Sequence, residues 1–78
     1  MYTLYIIRCS DDSLYTGIAK DLEKRLVVHR SGKGSVYVRA RLPFSLVYTE
    51  KHTDRSKATK REIQIKNMTR AEKETLIK

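Results

Sequence analysis

The sequence predicts a small α/β (α+β) domain, in which a three-stranded antiparallel sheet is flanked by helices in the order ββαβαα. Two segments rich in β-forming residues are separated by a short polar cluster, which is typical of a β-hairpin. A third apolar run lies between helical segments that begin at capping residues. The chain has 78 residues, so its core is thin, and we expect residues 1–78 to form one domain.

The predicted hairpin joins Leu4–Ile7 to Leu14–Ile18 through the polar turn Ser10–Ser13. Its first strand is apolar at successive positions, which indicates a strand covered on both faces. Each strand carries one tyrosine, Tyr5 or Tyr15, a residue that normally packs in strands. If the residue numbers of two cross-strand partners add up to an even number, the two tyrosines share a face of the sheet. The hairpin loop must then have an odd number of residues or contain a bulge. An odd sum places them on opposite faces.

The first helix is predicted to begin at the N-cap residue Asp21 and to end at Ser31–Gly32, where glycine suits a left-handed cap. A basic loop then runs to Pro43, and a third strand follows at Phe44–Thr49.

Two helices complete the predicted order. Asp54 or Ser56 caps the first, which reaches about Met68. Thr69–Glu72 has the form of a capping box and opens a short helix that runs to the end of the chain. Helices on both faces of the sheet would bury the apolar residues efficiently.

The charge balance predicts a polyanionic partner. Seventeen Lys and Arg residues face nine Asp and Glu, which gives a net charge of +8 and a pI near 9.9. A small basic domain with this excess is typical of nucleic-acid binding, and the alternative is a solvated cationic surface. We expect no membrane partner, because no stretch forms a basic amphipathic helix with bulky aromatic residues on its apolar face.

Cysteine usage and the N-terminus indicate the compartment. Cys9 is the single cysteine, which excludes an internal disulfide and a cysteine-based zinc site. Its place at the end of an apolar run predicts a buried, inert thiol. No secretion signal or membrane span is found, so we expect a protein of the reducing cytoplasm.

Glu62 lies on an unexpected side of its predicted helix. Ala58, Glu62, Ile65 and Thr69 form one stripe at helical spacing, on the face that should pack against the sheet. The neighbouring side chains that should cover the solvent side are Lys60, Arg61, Gln64 and Lys66. An inward carboxylate must be paired or bind a metal, since burying it alone costs several kcal/mol. A Glu–Arg pair between helix and sheet and a metal site are equally consistent with the spacing.

Arg25 and His29 lie one turn apart on the first helix and share a face. This spacing suits the rim of a cleft. The alternative is that Arg25 is a surface residue and that His29 is half-buried at the helix C-terminus, where it interacts well with the helix dipole.

The basic loop predicts a nucleic-acid contact. Lys33, Arg39 and Arg41 are expected to contact backbone phosphates, and Tyr37 to stack on a base. A cationic surface loop without a binding role is the alternative.

Taken in order, these residues resemble the GIY-YIG nuclease superfamily, and in particular its short stand-alone bacterial and archaeal members. The two half-motifs correspond to Thr3-Leu4-Tyr5 and Tyr15-Thr16-Gly17. Arg25 and His29 then follow one turn apart, as in the family, and Glu62 matches the family's metal-binding glutamate on a later helix. The resemblance spans essentially the whole chain. Thr3, Leu4 and Thr16 depart from the family pattern, and Ile18 stands where some repair members carry a lysine.

The resemblance implies a metal-dependent endonuclease that hydrolyses phosphodiester bonds. Tyr5 and Tyr15 would share one site, which selects the even register. One of them would orient or deprotonate the attacking water, with its pKa lowered by a nearby cation and the metal. Arg25 would neutralise phosphoryl charge, and His29 would assist in positioning or proton transfer. Glu62 would be the one protein ligand of a divalent metal, Mg²⁺ or Mn²⁺.

The implied partner is nucleic acid, DNA in preference to RNA. Branched, damaged or single-stranded DNA in repair or recombination would be the substrate, with a protein partner supplying specificity. The alternative function is a basic nucleic-acid-binding module that keeps the nuclease fold with little or no turnover, which the altered half-motifs favour.

Overall fold

The computed structural model describes residues 1–78 and confirms the predicted fold class. The strands are β1 (Tyr2–Cys9), β2 (Leu14–Ala19) and β3 (Phe44–His52), and the helices are α1 (Leu22–Arg30), α2 (Val36–Arg39), α3 (Arg55–Lys66) and α4 (Arg70–Ile77). The sheet is antiparallel, with β1 between β2 and β3. The central strand therefore comes from the N-terminus of the chain.

The single-turn helix α2 lies within the segment that was predicted as a loop. Ser35 caps it by accepting a hydrogen bond from the backbone N–H of Tyr37 at 3.1 Å. Val38 is fully buried, so the turn is held by a core contact as well as by its cap. The prediction of a continuous loop from Ser31 to Pro43 is wrong at these residues.

The β1–β2 hairpin has the even register. Ile7 pairs with Tyr15 and Tyr5 pairs with Gly17. Beyond the last ladder pair, the backbone N–H of Cys9 donates to the carbonyl of Ser13 at 2.9 Å, which leaves a three-residue loop. Asp12 in that loop has a φ of 69°, a left-handed conformation that aspartate tolerates. The odd-length loop confirms the register expected from the resemblance, and the two tyrosines share one face of the sheet.

Strand β1 is covered on both faces, as predicted. The side chains of Leu4–Ile7 are at most 1 % exposed. Leu4 and Ile6 pack with Ile65 of α3, whereas Tyr5 and Ile7 pack in a second cluster with residues of α1 and α2. Successive side chains of β1 therefore point into two separate cores in turn. Because both faces of the strand are buried, its residues must be apolar at successive positions.

Capping residues set the helix boundaries. Asp21 accepts from the third backbone N–H of α1, and Gly32 follows this helix with a φ of +80°. Asp54 caps α3, which decides between the two predicted caps, Asp54 and Ser56. Thr69 forms the predicted capping box at α4. These local signals place the starts of α1 and α4 and limit the start of α3 to two residues, whereas the start of α2 is not among them.

Helix α4 is fixed to the hairpin by a network of ion pairs. The guanidinium of Arg8 donates to both carboxylate oxygens of Glu74 at 2.7 and 3.0 Å, and also to Asp12 at 2.9 Å. Arg70 joins Glu74 at 2.8 Å. Hydrogen bonds from Arg8 and then Arg70 lower the pKa of Glu74 to about 2.

Cys9 is buried and free, as predicted, and burial raises the pKa of its thiol. This environment disfavours the reactive thiolate. None of the helices combines the length and apolar character that crossing a membrane requires.

Two isoleucines on α3 test the assigned inner face of this helix. Ile65 is fully buried, whereas Ile63 is 55 % exposed. We expect Ile65→Ala to lower the free energy of unfolding by about 2–5 kcal/mol, because it removes core contacts and leaves a cavity. Ile63→Ala, the matched control, should change it by about 0.5 kcal/mol. Urea denaturation followed by circular dichroism measures both values, and equal losses would contradict the assigned face.

Candidate active site

A buried hydrogen bond between Tyr5 and His29 forms the centre of the candidate site. The phenol oxygen of Tyr5 on β1 lies 2.9 Å from Nε2 of His29, which is in the last turn of α1. Both side chains are 1 % exposed. The ring of Tyr15 packs against both, with centroid distances of 6.5 Å to Tyr5 and 5.6 Å to His29. The structure therefore brings these three predicted residues together.

Two glycines allow this close packing. A Cβ at Gly17 would lie 2.6 Å from the phenol oxygen of Tyr5, and a Cβ at Gly34 would lie 2.5 Å from Nδ1 of His29. Both distances are shorter than side chains tolerate, so any larger residue would displace the ring. The glycine of the second half-motif is thus required by its cross-strand partner. The role of Gly34 was missed from the sequence, where it was one small residue in a loop.

Burial keeps both members of the pair neutral. Burial raises the pKa of Tyr5, and Tyr15 raises it further, while Arg25 opposes the rise. Within the protein chain alone the pKa of Tyr5 is therefore raised, because the buried phenolate loses more hydration than Arg25 restores. The lowering expected from a cation together with a bound metal stays a prediction. Burial, and then the charge of Arg25, lower the pKa of His29. A neutral phenol thus shares a hydrogen bond with a neutral imidazole.

His29 also carries an unusual polar atom. Its Nδ1 is the one buried side-chain nitrogen or oxygen without a hydrogen-bond partner. Buried polar groups are normally satisfied, so an unsatisfied one requires an explanation, of which a catalytic role is one. The ring is held by packing instead, edge-on to Phe44 at a centroid distance of 6.1 Å. The guanidinium of Arg30 also lies over the ring of Phe44, 5.2 Å from its centroid. Phe44 was predicted only as a strand residue.

Arg25 and Glu62 place opposite charges near the phenol of Tyr5. Arg25 is exposed and forms no ion pair, and its charge acts on both Tyr5 and His29. The charge of the Glu62 carboxylate also raises the pKa of Tyr5, so this carboxylate is near enough to act on the phenol. The side chain of Glu62 is 20 % exposed and has one ionic contact, at 3.4 Å to Lys66. Glu62 is not paired with Arg25.

The Glu–Arg pair between helix and sheet exists, but it uses other residues. Arg61, predicted on the solvent side of α3, instead donates from Nε to Glu50 of β3 at 2.9 Å. Tyr48 and His52 also bond Glu50, at 2.6 and 2.7 Å. Hydrogen bonds from Tyr48, Arg61 and His52 outweigh the effect of burial and lower the pKa of Glu50. This cluster holds α3 on the sheet without Glu62.

The donor set suits a hard divalent cation. No group of three or more His, Cys, Asp or Glu side chains lies close enough together to bind a metal ion, so protein side chains alone do not complete a coordination shell. Glu62 provides one half-buried carboxylate with a single long ionic contact. Mg²⁺ commonly binds through one or two carboxylates together with water and substrate phosphates. The residues present therefore fit such an ion.

Tyr37 and Arg41 make contacts within the protein. The ring of Tyr37 stacks on Tyr15 at a centroid distance of 5.9 Å and an interplanar angle of 27°. The Arg41 guanidinium lies 3.9 Å from the centre of the Tyr37 ring, and its Nε is 3.0 Å from Asp11 in the hairpin loop. These contacts orient Tyr15. The predicted role of both residues in nucleic-acid binding stays a prediction.

Lys33 and Arg39 are exposed and form no ion pairs, so they remain candidates for phosphate contacts. They lie outside the Tyr5–His29 cluster. The aliphatic part of Arg39 lies beside Gly32, where a Cβ would be 3.5 Å from its Cγ.

Comparison with known proteins shows one consistent family. The model of the GIY-YIG catalytic domain matches residues 1–75. A UPF0213 protein from Staphylococcus epidermidis is 49 % identical over 74 residues, which is 95 % of this chain and 90 % of that protein. A UPF0213 protein from Staphylococcus aureus is 49 % identical over 75 residues, 96 % of this chain and 92 % of that protein.

Two solution NMR structures show the same architecture. The UPF0213 protein of Bacillus halodurans has 40 % identity and a TM-score of 0.64, covering 99 % of this chain and 83 % of that one. A protein from E. faecalis has 39 % identity and a TM-score of 0.67, covering 95 % and 79 %. With the family match over residues 1–75, they show that this chain belongs to the GIY-YIG catalytic-domain family and is similar to its small UPF0213 members.

Proposed function

We propose that this protein is a metal-dependent endonuclease that hydrolyses phosphodiester bonds in DNA. The observation that carries the proposal is the buried hydrogen bond between Tyr5 and His29, with the charges of Arg25 and Glu62 close enough to act on Tyr5. A nuclease of this family acts on nucleic acid, and the net charge of +8 supports a polyanionic substrate. Branched, damaged or single-stranded DNA of repair or recombination is the substrate class that we propose.

The Tyr5–His29 pair is suited to moving a proton away from water. As a water molecule attacks phosphorus, its proton passes to the phenol oxygen of Tyr5, while the phenol proton passes to Nε2 of His29. The hydrogen bond of 2.9 Å between these atoms provides the path. Because Tyr5 gives up one proton as it receives another, no free phenolate forms, and its raised pKa is compatible with the step. His29 must begin neutral, as its lowered pKa provides.

Arg25 and Glu62 would act on the phosphate. The guanidinium has donors in a fork that suits two phosphoryl oxygens, and it is free of any carboxylate in the protein. Glu62 would hold Mg²⁺ or Mn²⁺, which when bound supplies Lewis-acid stabilisation of charge on the phosphate and the leaving oxygen. Tyr15, fixed by its stack with Tyr37, would help to position the attacking water.

A nucleic-acid-binding module without turnover is the second candidate. The raised pKa of Tyr5 favours it, since a tyrosine acting alone as base would be weak. DNA binding that weakens with salt, without metal-dependent cleavage of any strand structure, would support this function over the nuclease.

Removing the carboxylate of Glu62 tests the metal role. We expect Glu62→Gln to lower the rate of Mn²⁺-dependent cleavage of plasmid and oligonucleotide substrates by at least about 100-fold, because charge stabilisation in the transition state is lost. Glu23→Gln on α1 is the matched control, since Glu23 is exposed and in no ion pair. Its cleavage rate should equal that of the wild type. A Glu62→Gln rate within a few-fold of wild type would disprove this assignment.

Two glycine substitutions distinguish an effect on the position of the His29 ring from an effect on the stability of the fold. Gly34→Ala should reduce cleavage by about 10–100-fold, because its Cβ would move the histidine ring and misplacement of this size is costly. Gly32→Ala is the control: its φ of +80° predicts a loss of about 1–2 kcal/mol of stability, but its Cβ would meet only the aliphatic part of Arg39, at an ordinary contact distance of 3.5 Å, and neither Tyr5 nor His29. Cleavage should therefore stay normal below the unfolding temperature. Comparable cleavage by both variants would contradict the role given to Gly34.

A further inference from the structure

A cleft beside the candidate site has no part in the proton transfer proposed for Tyr5 and His29. It has a volume of about 410 Å³ and lies between the end of β2, the first turns of α1 and the start of α3. Arg25 lines it, so the cleft shares a side chain with the site of Tyr5 and His29. Sites for small organic molecules occupy about 300–1,000 Å³, so this cleft can take a single nucleotide.

The polar lining of the cleft is cationic. Lys20, Lys24, Arg25 and Arg55 line it. None of these side chains is in an ion pair, because the carboxylates that form ion pairs engage basic residues elsewhere. The single carboxylate of the lining, Asp21, accepts from the Lys24 backbone N–H as the cap of α1. The cleft therefore has an excess of positive charge for an anionic ligand.

The remaining lining is apolar or aromatic. Tyr2, Ile18 and Val28 are half-buried and present apolar surface to the cleft. A phosphate alone would gain nothing from this surface, and a stacked base pair keeps the faces of its bases covered. An unpaired base has a free aromatic face, which stacks on tyrosine and covers aliphatic side chains. Charge and apolar surface together match a nucleotide.

We propose that the cleft binds one unpaired nucleotide of a DNA strand, next to the phosphate held at Arg25. Strands with unpaired bases then become the preferred substrate class. The proposal rests on the proposed function for the place of the scissile phosphate. Binding itself needs neither metal nor cleavage, so it can be measured in EDTA.

The aromatic contact is tested with two strands that differ only in their bases. Fluorescence anisotropy measures binding of a short thymidine oligonucleotide and of an abasic strand of equal length. We expect the wild type to prefer the thymidine strand about tenfold, and Tyr2→Ala to lose this preference while binding the abasic strand normally. Tyr2→Leu, which keeps apolar bulk at the start of β1, repeats the comparison if Tyr2→Ala unfolds. Equal binding of both strands by the wild type, or a preference that survives in the variants, would overturn the proposal.

Charge in the cleft is tested with a matched pair of lysines. Lys24→Ala should weaken binding of both strands and reduce the salt slope by about one. Lys73→Ala on α4 removes the same charge from a lysine that is outside the cleft and in no ion pair, and should leave the slope unchanged. Equal effects would overturn the cleft as the binding site. Cleavage that depends on Glu62 without any base preference would overturn this inference alone, whereas base preference without any cleavage would overturn the proposed function alone.

Discussion

The buried hydrogen bond between Tyr5 and His29 constrains much of the rest of the structure. Two aromatic rings must fit between the central strand and α1 with almost no exposure. That requires Gly17 opposite Tyr5, and hence the even register and the three-residue loop that sets it. It also requires Gly34 to approach Nδ1 of His29 without a side chain. Register, loop length and two glycines therefore follow from one contact.

Charge is distributed so that the site residues stay free. Glu50 and Arg61 fix α3 to the sheet, and Glu74 and Arg8 fix α4 to the hairpin. Because these pairs perform the structural work, Arg25 has no carboxylate partner and Glu62 has only a 3.4 Å contact with Lys66. A phosphate and a hard cation can then meet these two side chains at little cost in folded-state stability. This separation supports a functional role for Arg25 and Glu62.

Much of the fold could be predicted from local signals. Asp21 and Thr69 are capping residues whose partners lie within one turn, and the apolar run of β1 shows that it is covered on both faces. The residues of the hairpin alone do not determine its register, since they are compatible with both the even and the odd pairing, and only the family resemblance selects the even one. Three features were missed because they depend on tertiary contacts: the helix around Val38, the Glu50–Arg61 pair and the approach of Gly34 to His29. The raised pKa of Tyr5 has the same origin, since burial is a property of the folded chain.

Tyr5→Phe tests the central claim most directly, because it removes one oxygen atom and keeps the ring that fills the core. Because the change leaves Nε2 of the buried His29 without a partner, it should cost about 1–3 kcal/mol of stability, and circular dichroism checks that the variant is folded. The proton relay predicts that single-turnover cleavage with Mn²⁺ falls by at least about 100-fold. Cleavage within about threefold of wild type, by a variant with unchanged circular dichroism, would contradict a catalytic role for the Tyr5–His29 pair.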